Sequence, residues 1–303
     1  RLLAKMQREG VPACAEQVLK ATPRELARGL SCQDQGLPTR VLQEIVQNLL
    51  PPWNPSAGKP GPAILITGAT GFLGSRVLQN LLQRGSSPIY CLVRQPRRLP
   101  HHPRIIPLLG DLRAPDWGVD MSLLQREVGE IYHLAAHVNT VLPFEDLRDD
   151  NLDCLRVLGE LLAHGPPKHL HFASTLSVFV STDRKGFFRE DDHLETPCRV
   201  YGGYAQTKWA AEWLVRQWPP RGPLSIYRYG LLTGDSRTGE GSPHDFLRMF
   251  CQGLTELGSY PRGEELRLDI TPIDFAAAVT SQGPGTYHGA NRQGASLAEL
   301  VVA

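Results

Sequence analysis

The chain has 303 residues, enough for one large domain or for one domain with a small appendage. Its composition, 41% apolar and 21% charged with a formal net charge of +1, is that of an ordinary globular protein and gives no sign of a nucleic-acid or membrane partner. No apolar run approaches the ~20 residues of a membrane span, and the six cysteines form no Cys-x-x-Cys pair, so we expect a cytoplasmic protein with reduced thiols and no bound metal.

The first fifty residues are predicted to be helical. Apolar residues recur at helical spacing from Val41 to Leu50, and Thr22-Pro-Arg-Glu25 has the cap, proline and glutamate of a helix start. Residues 51–62 are rich in proline and glycine and predict a linker. We therefore divide the chain into a helical segment at 1–50 and a second domain at 63–303, with a substrate region mainly at 230–303.

From residue 63 onward, strands alternate with helices. Strands are predicted at Ala63–Thr67, Ile89–Val93, Ile105–Leu109, Glu130–Leu134, His169–Ala173 and Leu224–Tyr229. Helices are predicted at Gly74–Arg84, Leu152–His164, around Tyr204 and at Asp245–Leu257, and the rest of the chain after Gly230 is expected to be rich in loops. Continuous apolar strands joined by helices indicate an α/β fold with a parallel sheet covered on both faces.

Three glycines stand where the first of these strands turns into a helix, in Ile64-Leu-Ile-Thr-Gly-Ala-Thr-Gly-Phe-Leu-Gly74. A dinucleotide pyrophosphate needs the N–H groups of a helix N-terminus and no side chains in the way. A glycine turn without a ligand is the alternative, but the strand before it and the amphipathic helix after it favour a dinucleotide. The predicted cofactor contacts in the turn are Thr67, Gly68, Thr70, Gly71, Phe72, Leu73 and Gly74.

Arg94 ends the second strand, where NAD-specific proteins usually carry Asp or Glu for the ribose 2′-hydroxyl. A guanidinium group stacks on adenine and pairs with a 2′-phosphate, so the sequence favours NADPH over NADH. Arg97 and Arg98 follow, either as further cofactor contacts or as part of a solvated loop.

Two more strand ends supply candidate cofactor contacts. Asp111, followed by Leu112, either accepts a hydrogen bond from the adenine amino group or caps the next turn. After the fourth strand, the small residues Ala135 and Ala136 let a nicotinamide ribose approach the backbone. His137 beside them is expected to line the site or to be structural, and not to be catalytic.

Tyr204 and Lys208 lie four residues apart and share one face of a predicted helix. A free tyrosine has a pKa of about 10, and a lysine one turn away lowers that pKa. The pair then works near neutrality as a proton donor or a carbonyl-polarising group. This spacing arises by chance in many helices, but together with the glycine turn it points to a nicotinamide-dependent reductase.

Hydroxyl groups follow the strand that precedes this helix. Ser174, Thr175 and Ser177 stand at its carboxyl end, where side chains face the ligand crevice of an open α/β sheet. Any of them either binds the substrate oxygen or caps the strand. Asn151 begins the preceding helix, and its amide either anchors a water near Lys208 or caps that helix.

Together, these motifs resemble the extended short-chain dehydrogenase/reductase superfamily. Within it the chain resembles the thioester reductase domains that end non-ribosomal peptide and polyketide synthetases and that occur in carboxylic acid and aminoadipate reductases. The runs that carry this resemblance are Ile66–Gly74, Cys91–Arg94, His133–Asn139, Asn151–Leu155, Gly203–Glu212 and Tyr227–Gly239. The resemblance implies a Rossmann-type doubly wound sheet, NADPH as cofactor, and Thr175, Tyr204 and Lys208 as catalytic residues. Thr175 is chosen because the superfamily's hydroxyl lies three residues before a Val-aromatic pair, here Val178-Phe179.

Residues 1–30 resemble the back half of a phosphopantetheine carrier domain. The implied partner is a phosphopantetheinylated carrier protein that presents an acyl or peptidyl thioester. The chain departs from the family pattern in two places: the stretch from Arg94 to Gly110 is short, and the chain stops soon after Phe275. We therefore expect a reduced or incomplete substrate region.

The resemblance implies reductive release of the acyl chain. Hydride from NADPH attacks the thioester carbonyl while Tyr204 and Thr175 stabilise the oxyanion, and Lys208 lowers the pKa of Tyr204 and holds the nicotinamide ribose. The thiohemiacetal collapses to the carrier thiol and an aldehyde, which a second reduction would convert to an alcohol. The alternatives are a sugar-nucleotide epimerase or dehydratase, a ketone or hydroxysteroid reductase, a non-catalytic NADP(H) sensor, which usually lacks the Tyr-x-x-x-Lys pair, and an interaction module of a larger synthase.

Overall fold

The structure is a computed structural model. It describes residues 36–51, 54–55, 58–139, 141–194, 196–218, 222–242, 245–258, 267–296 and 299–300. The helix start predicted at Thr22 and the carrier-like residues 1–30 lie outside these ranges. Among the helices in the described residues, none has the length and apolar character needed to cross a bilayer.

Seven parallel strands form the central sheet. They are β1 (Ala63–Thr67), β2 (Ile89–Val93), β3 (Ile105–Leu109), β4 (Val128–His133), β5 (His169–Thr175), β6 (Leu224–Tyr229) and β7 (Gly285–Gly289). Their spatial order is β3-β2-β1-β4-β5-β6-β7, so the chain winds outward from β1 first in one direction and then in the other. This is a Rossmann-type doubly wound order, in which ligands bind at the carboxyl ends of the strands where the order reverses, between β1 and β4. The predicted fold class is confirmed.

Nine α-helices lie within the described part of the chain. They are α1 (Thr39–Gln47), α2 (Phe72–Gln83), α3 (Met121–Glu127), α4 (Phe144–Arg148), α5 (Leu155–Ala163), α6 (Ser177–Val180), α7 (Gly203–Gln217), α8 (Phe246–Leu257) and α9 (Ile273–Val279). Short ladders pair Leu37–Pro38 with Arg199–Val200, Asn54–Pro55 with His164–Gly165, Leu231–Thr233 with Ile270–Pro272, and Arg267–Leu268 with Ala295–Ser296. One turn between α4 and α5, Asp149–Asp153, is π-helical.

Apolar cores cover both faces of the sheet. On one face, α2 and α9 pack together and bury residues such as Val77 and Ile273. On the other face, α7, α5 and α1 bury Trp209, Leu158 and Leu42. β1 is buried along its whole length because it lies between these two layers.

Helix α1 packs into the core of the domain that follows it. Leu42 and Val46 are fully buried, α1 contacts α7, and Leu37–Pro38 pairs with Arg199–Val200. The apolar spacing predicted this helix correctly but did not indicate what its apolar stripe contacts. The domain boundary at residues 51–62 stays a prediction, although residues on both sides of it share one core.

The expectation of loops after Gly230 is wrong at two places, helix α9 and strand β7. Strand β7 is the last strand of the sheet. Its residues pair with β6 from Ser225 to Tyr229 and lie at the edge of the sheet. Only Tyr287 supplies a large apolar side chain, since an edge strand that is partly exposed needs no continuous apolar run. Helix α8 agrees with the helix predicted at Asp245–Leu257, and the Asp245 side chain caps its first turn.

Candidate active site

The glycine turn after β1 has the backbone geometry that a dinucleotide requires. Gly68 has a φ of +76°, and a Cβ atom there would lie 2.7 Å from the backbone nitrogen of Ala135. A Cβ atom on Gly74 would collide with the carbonyl oxygen of Gly68, so α2 packs directly on the turn. Gly71 precedes α2, and no side chain caps the N–H groups of the first helical turn. These groups are therefore available to an anion such as a pyrophosphate.

Thr67 and His133 connect this turn to the neighbouring strand β4. Thr67 is fully buried, and its hydroxyl lies 3.1 Å from Nδ1 of His133 and 3.4 Å from the backbone nitrogen of Ala135. Burial, together with the charge of Lys208, lowers the pKa of His133 to about 3, so the imidazole is neutral at physiological pH. Of the other predicted contacts, Leu73 is buried, whereas the following are partly or fully exposed: Thr70, Gly71, Phe72, Leu112, Ala135 and Ala136.

Arg98 lies against the glycine turn, although the sequence did not distinguish it from a solvated residue. Its Nη2 donates to the carbonyl oxygen of Thr70 at 3.3 Å. Arg94 is exposed at the end of β2. Arg94 and Arg98 therefore both come directly after β2, which is the neighbour of the strand that leads into the glycine turn.

Asp111 is engaged with its own turn. Its carboxylate accepts from the backbone nitrogen of Arg113 at 3.0 Å and from the Arg113 guanidinium at 3.1 Å. These hydrogen bonds, with a smaller contribution from the charge of Arg94, hold the pKa of Asp111 below its usual value. The contacts favour the turn-capping interpretation over an adenine contact.

Asn151 fastens the loop after β4 to helix α7. Its Oδ1 accepts from the backbone nitrogen of His137 at 2.7 Å, and its Nδ2 donates to the His137 carbonyl at 3.1 Å and to the Thr207 hydroxyl at 3.2 Å. Asn151 lies inside the π-helical turn, so the N-cap interpretation is wrong. Such turns are frequent at functional sites. The His137 side chain is exposed and lies 2.9 Å from Asp150.

Lys208 is buried on α7 and reaches the carboxyl end of β5. Its Nζ donates to the carbonyl oxygen of Ala173 at 2.7 Å and lies 4.6 Å from the centroid of the Phe172 ring. Burial lowers the pKa of Lys208 to about 8. Tyr204 lies one turn earlier, and burial raises the pKa of its phenol to about 12. The predicted lowering of this pKa by Lys208 is therefore wrong in the structure, because desolvation dominates the phenol and the ammonium is directed to a strand carbonyl.

The three hydroxyls at the end of β5 have different partners. Ser174 donates to Oε2 of Glu212 at 2.6 Å, and both residues are buried. Thr175 donates to the Ser177 hydroxyl at 3.2 Å and accepts from the Ser177 backbone nitrogen at 3.2 Å. Ser174 is thus bound within the protein, and Thr175 and Ser177 lie together at the strand end.

Sequence reasoning missed a buried ion pair behind these hydroxyls. Glu212 and Arg228 are fully buried, with Nη2 2.8 Å from Oε1, and Arg216 lies 3.0 Å from the same carboxylate oxygen. Hydrogen bonds and charge from the arginines outweigh burial and hold the pKa of Glu212 below its usual value. The sequence did contain a signal for this ion pair, which is Arg228 within the mostly apolar strand β6. An arginine is rarely buried unless it has a partner.

Comparison with known proteins adds three observations. The family described as "Male sterility protein" matches residues 66–102 and 97–280. A linear gramicidin synthase of Brevibacillus parabrevis is 33% identical over 93% of this chain and 6% of its own length. L-2-aminoadipate reductase of Saccharomyces cerevisiae is 31% identical over 75% of this chain and 19% of its own length.

Among solved structures, the terminal R domain from the myxalamid PKS-NRPS biosynthetic pathway superimposes with a TM-score of 0.74. It is 32% identical, and the match covers 86% of this chain and 75% of that chain. The chain therefore spans most of a solved domain but only a small part of the two larger relatives.

Proposed function

The chain belongs to the thioester reductase family of extended short-chain dehydrogenases/reductases, described as "Male sterility protein", and from this membership we propose that it releases a carrier-bound acyl or peptidyl thioester as an aldehyde, with NADPH as reductant. The names of its relatives support this function, since they include a linear gramicidin synthase, an aminoadipate reductase and a terminal R domain. The observation that carries it is the bond from Lys208 to Ala173, which brings the Tyr204–Lys208 helix to the strand end that bears Thr175.

The proposed catalytic step uses donors from helix α7 and from the end of β5. NADPH, when bound at the glycine turn, supplies the hydride. The Tyr204 phenol, whose pKa burial raises to about 12, keeps its proton at neutral pH and donates it to the thioester oxygen. Thr175 donates a second hydrogen bond to that oxygen in place of its bond to the Ser177 hydroxyl, and the Lys208 ammonium stabilises the negative charge that forms as the phenol gives up its proton. As the carbon–sulfur bond of the resulting thiohemiacetal breaks, its hydroxyl proton passes to the sulfur, so that the carrier thiol leaves and the aldehyde forms, and Tyr204 regains a proton from solvent.

The test is a reaction with a defined thioester. The purified chain is incubated with NADPH and an acyl-phosphopantetheine thioester, while NADPH fluorescence and trapped aldehyde are measured. We expect aldehyde to form in step with NADPH loss. NADPH oxidation with a ketone, or turnover of a sugar nucleotide, in the absence of thioester reduction would contradict the proposal and favour the other enzyme classes.

Arg94→Glu and Arg98→Glu are each expected to weaken NADPH binding by about tenfold to a hundredfold, because each removes a charge-assisted contact to the 2′-phosphate. NADH binding is expected to change much less, since NADH lacks that phosphate. Dissociation constants from fluorescence titration check this. Arg97→Glu makes the same charge change in the same short turn and is the matched control. Equal losses for both dinucleotides would remove the argument for NADPH.

The rate of thioester reduction is expected to fall as the pH rises through about 8, where Lys208 loses its proton and its charge. The rate falls on the alkaline side because burial lowers the pKa of Lys208 from its usual value of 10.5. The ammonium therefore loses its proton at a lower pH than a free lysine does. The profile of kcat/KM against pH measures the effect. Burial also lowers the pKa of Lys168 to about 8, so Lys168→Arg is the control, and it is expected to leave the profile unchanged. A profile that is flat to pH 9 would show that the Lys208 charge is not needed.

A further inference from the structure

The hydroxyl of Ser174 joins the carboxyl end of β5 to helix α7. It donates to Oε2 of Glu212 at 2.6 Å, and both residues are buried. Glu212 lies on α7 one turn after Lys208, whose Nζ donates to the carbonyl oxygen of Ala173 at 2.7 Å. Two side chains one turn apart on α7 therefore hold two adjacent residues of β5. The proposed catalytic step uses Lys208 but gives no role to the bond from Ser174.

The backbone of Thr175 is held on both sides. Ser174 before it is bonded to α7, and Leu176 after it donates its backbone N–H to the carbonyl oxygen of Tyr229 on β6 at 2.8 Å. The partner of the Thr175 hydroxyl, Ser177, lies in the same short turn and moves with it. The position of this hydroxyl relative to α7 therefore depends on where its two neighbours are held.

The Glu212 carboxylate connects further elements to this arrangement. Arg228 on β6 pairs in register with Ser174, and its Nη2 lies 2.8 Å from Oε1 of Glu212. The Arg228 guanidinium also lies 4.5 Å from the centroid of the Phe179 ring on α6 and donates to the carbonyl oxygen of Asp192 at 3.1 Å. One buried carboxylate thus joins β5 to α7 and, through Arg228, to β6 and α6.

The two oxygens of this carboxylate have different partners. Oε1 accepts from Arg216 and Arg228 at 2.8–3.1 Å, and these guanidinium groups balance its charge. Oε2 accepts from the Ser174 hydroxyl at 2.6 Å and from Nε of Arg228 at 3.3 Å. Ser174 is therefore not needed to neutralise Glu212. A short hydrogen bond to an ionised acceptor is strong and directional, so this one sets the distance between β5 and α7.

We propose that Ser174 is a positioning residue, which through Glu212 fixes the end of β5 against α7. The hydroxyl of Thr175 and the phenol of Tyr204 are then held where both reach one substrate oxygen. This role rests on the proposed function, in which both groups donate to that oxygen. A misplacement of about 1 Å in such groups lowers the rate by up to about a hundredfold. Loss of the Ser174 bond is therefore expected to affect turnover more than binding.

The experiment replaces Ser174 with alanine, which removes the hydroxyl and leaves the ion pair of Glu212 with Arg228 in place. We expect kcat for thioester reduction to fall by about tenfold or more. The dissociation constant of NADPH and the KM of an acyl-phosphopantetheine thioester are expected to change by less than about twofold, because Ser174 contacts neither in the proposed arrangement. Steady-state kinetics and fluorescence titration measure these quantities.

Ser225→Ala is the matched control, since it removes another buried serine hydroxyl from the same sheet. Ser225 lies on β6 three residues before Arg228, roughly 10 Å towards the other end of the sheet, and its hydroxyl donates to the Gly283 carbonyl at 2.7 Å. We expect both variants to have a lower melting temperature, and Ser225→Ala to keep its kcat. An unchanged kcat in Ser174→Ala, or an equal loss of kcat in Ser225→Ala, would overturn the proposal.

A second measurement does not depend on which carbonyl compound the chain reduces. Hydrogen exchange in the unliganded chain is expected to be faster at residues 173–177 in Ser174→Ala and unaltered there in Ser225→Ala. Unaltered exchange at 173–177 in Ser174→Ala would mean that the bond does not hold the strand end, and the positioning role would be wrong. Failure of the unchanged chain to reduce an acyl thioester would instead contradict the proposed function, whatever the exchange result.

Discussion

Replacing Tyr204 with phenylalanine is expected to lower the turnover of thioester reduction by about two to four orders of magnitude, with NADPH affinity nearly unchanged. The phenol lies one turn from Lys208 on α7, and Lys208 is bonded to the end of the strand that carries Thr175. Because burial raises the phenol pKa to about 12, Tyr204 is a protonated donor across the physiological range. Its loss leaves the substrate oxygen with the weaker Thr175 hydroxyl as its donor.

Single-turnover rates and NADPH titrations separate the effect on chemistry from the effect on cofactor binding. Tyr201→Phe removes a hydroxyl from a tyrosine three residues earlier and is the matched control, with turnover expected to be unchanged. Equal turnover in Tyr204→Phe and Tyr201→Phe would refute the catalytic assignment. A loss of NADPH binding parallel to the loss of rate would show that Tyr204 serves the cofactor and not the substrate.

Glu212→Gln is expected to lower the free energy of unfolding by about 3–5 kcal/mol, the typical cost of leaving a buried charge without its partner. The carboxylate is fully buried, accepts from Arg228, Arg216 and Ser174, and neutralises a guanidinium that is itself fully buried. A neutral amide cannot balance that charge. The shift in the urea unfolding midpoint, with the slope held constant, measures the effect.

Glu160→Gln is the control for this change. Glu160 pairs with Arg156 at 2.6 Å on α5 with the same four-residue spacing as Glu212 and Arg216, but this pair is partly exposed. Solvent screens it, and we expect a loss of only about 0.3–0.5 kcal/mol. Similar losses for the two variants would mean that burial does not set the strength of the Glu212 network.

The apolar pattern predicted the strands well where they consist mainly of large apolar side chains. The bounds of β1, β2, β3 and β6 agree with the predictions, and β3 was found although it lies at the edge opposite β7, because Ile105-Ile-Pro-Leu-Leu109 is an apolar run. The pattern failed for β7, whose position at the edge requires few apolar residues. It also failed for the contacts of α1, since an amphipathic helix has the same pattern whichever surface it covers.

The features of the candidate active site likewise fall into those that the sequence predicts and those that depend on tertiary contacts. The sequence by itself determined the glycine turn and the Tyr204–Lys208 face, because each depends on residues within one strand-turn-helix unit or one helix. Tertiary structure alone decided that Ser174 binds Glu212 and that Arg98 meets the glycine turn. These partners are distant in sequence, and their meeting depends on strand register and helix packing. Local spacing does not specify either, because it fixes which face a side chain occupies and not which neighbour that face meets.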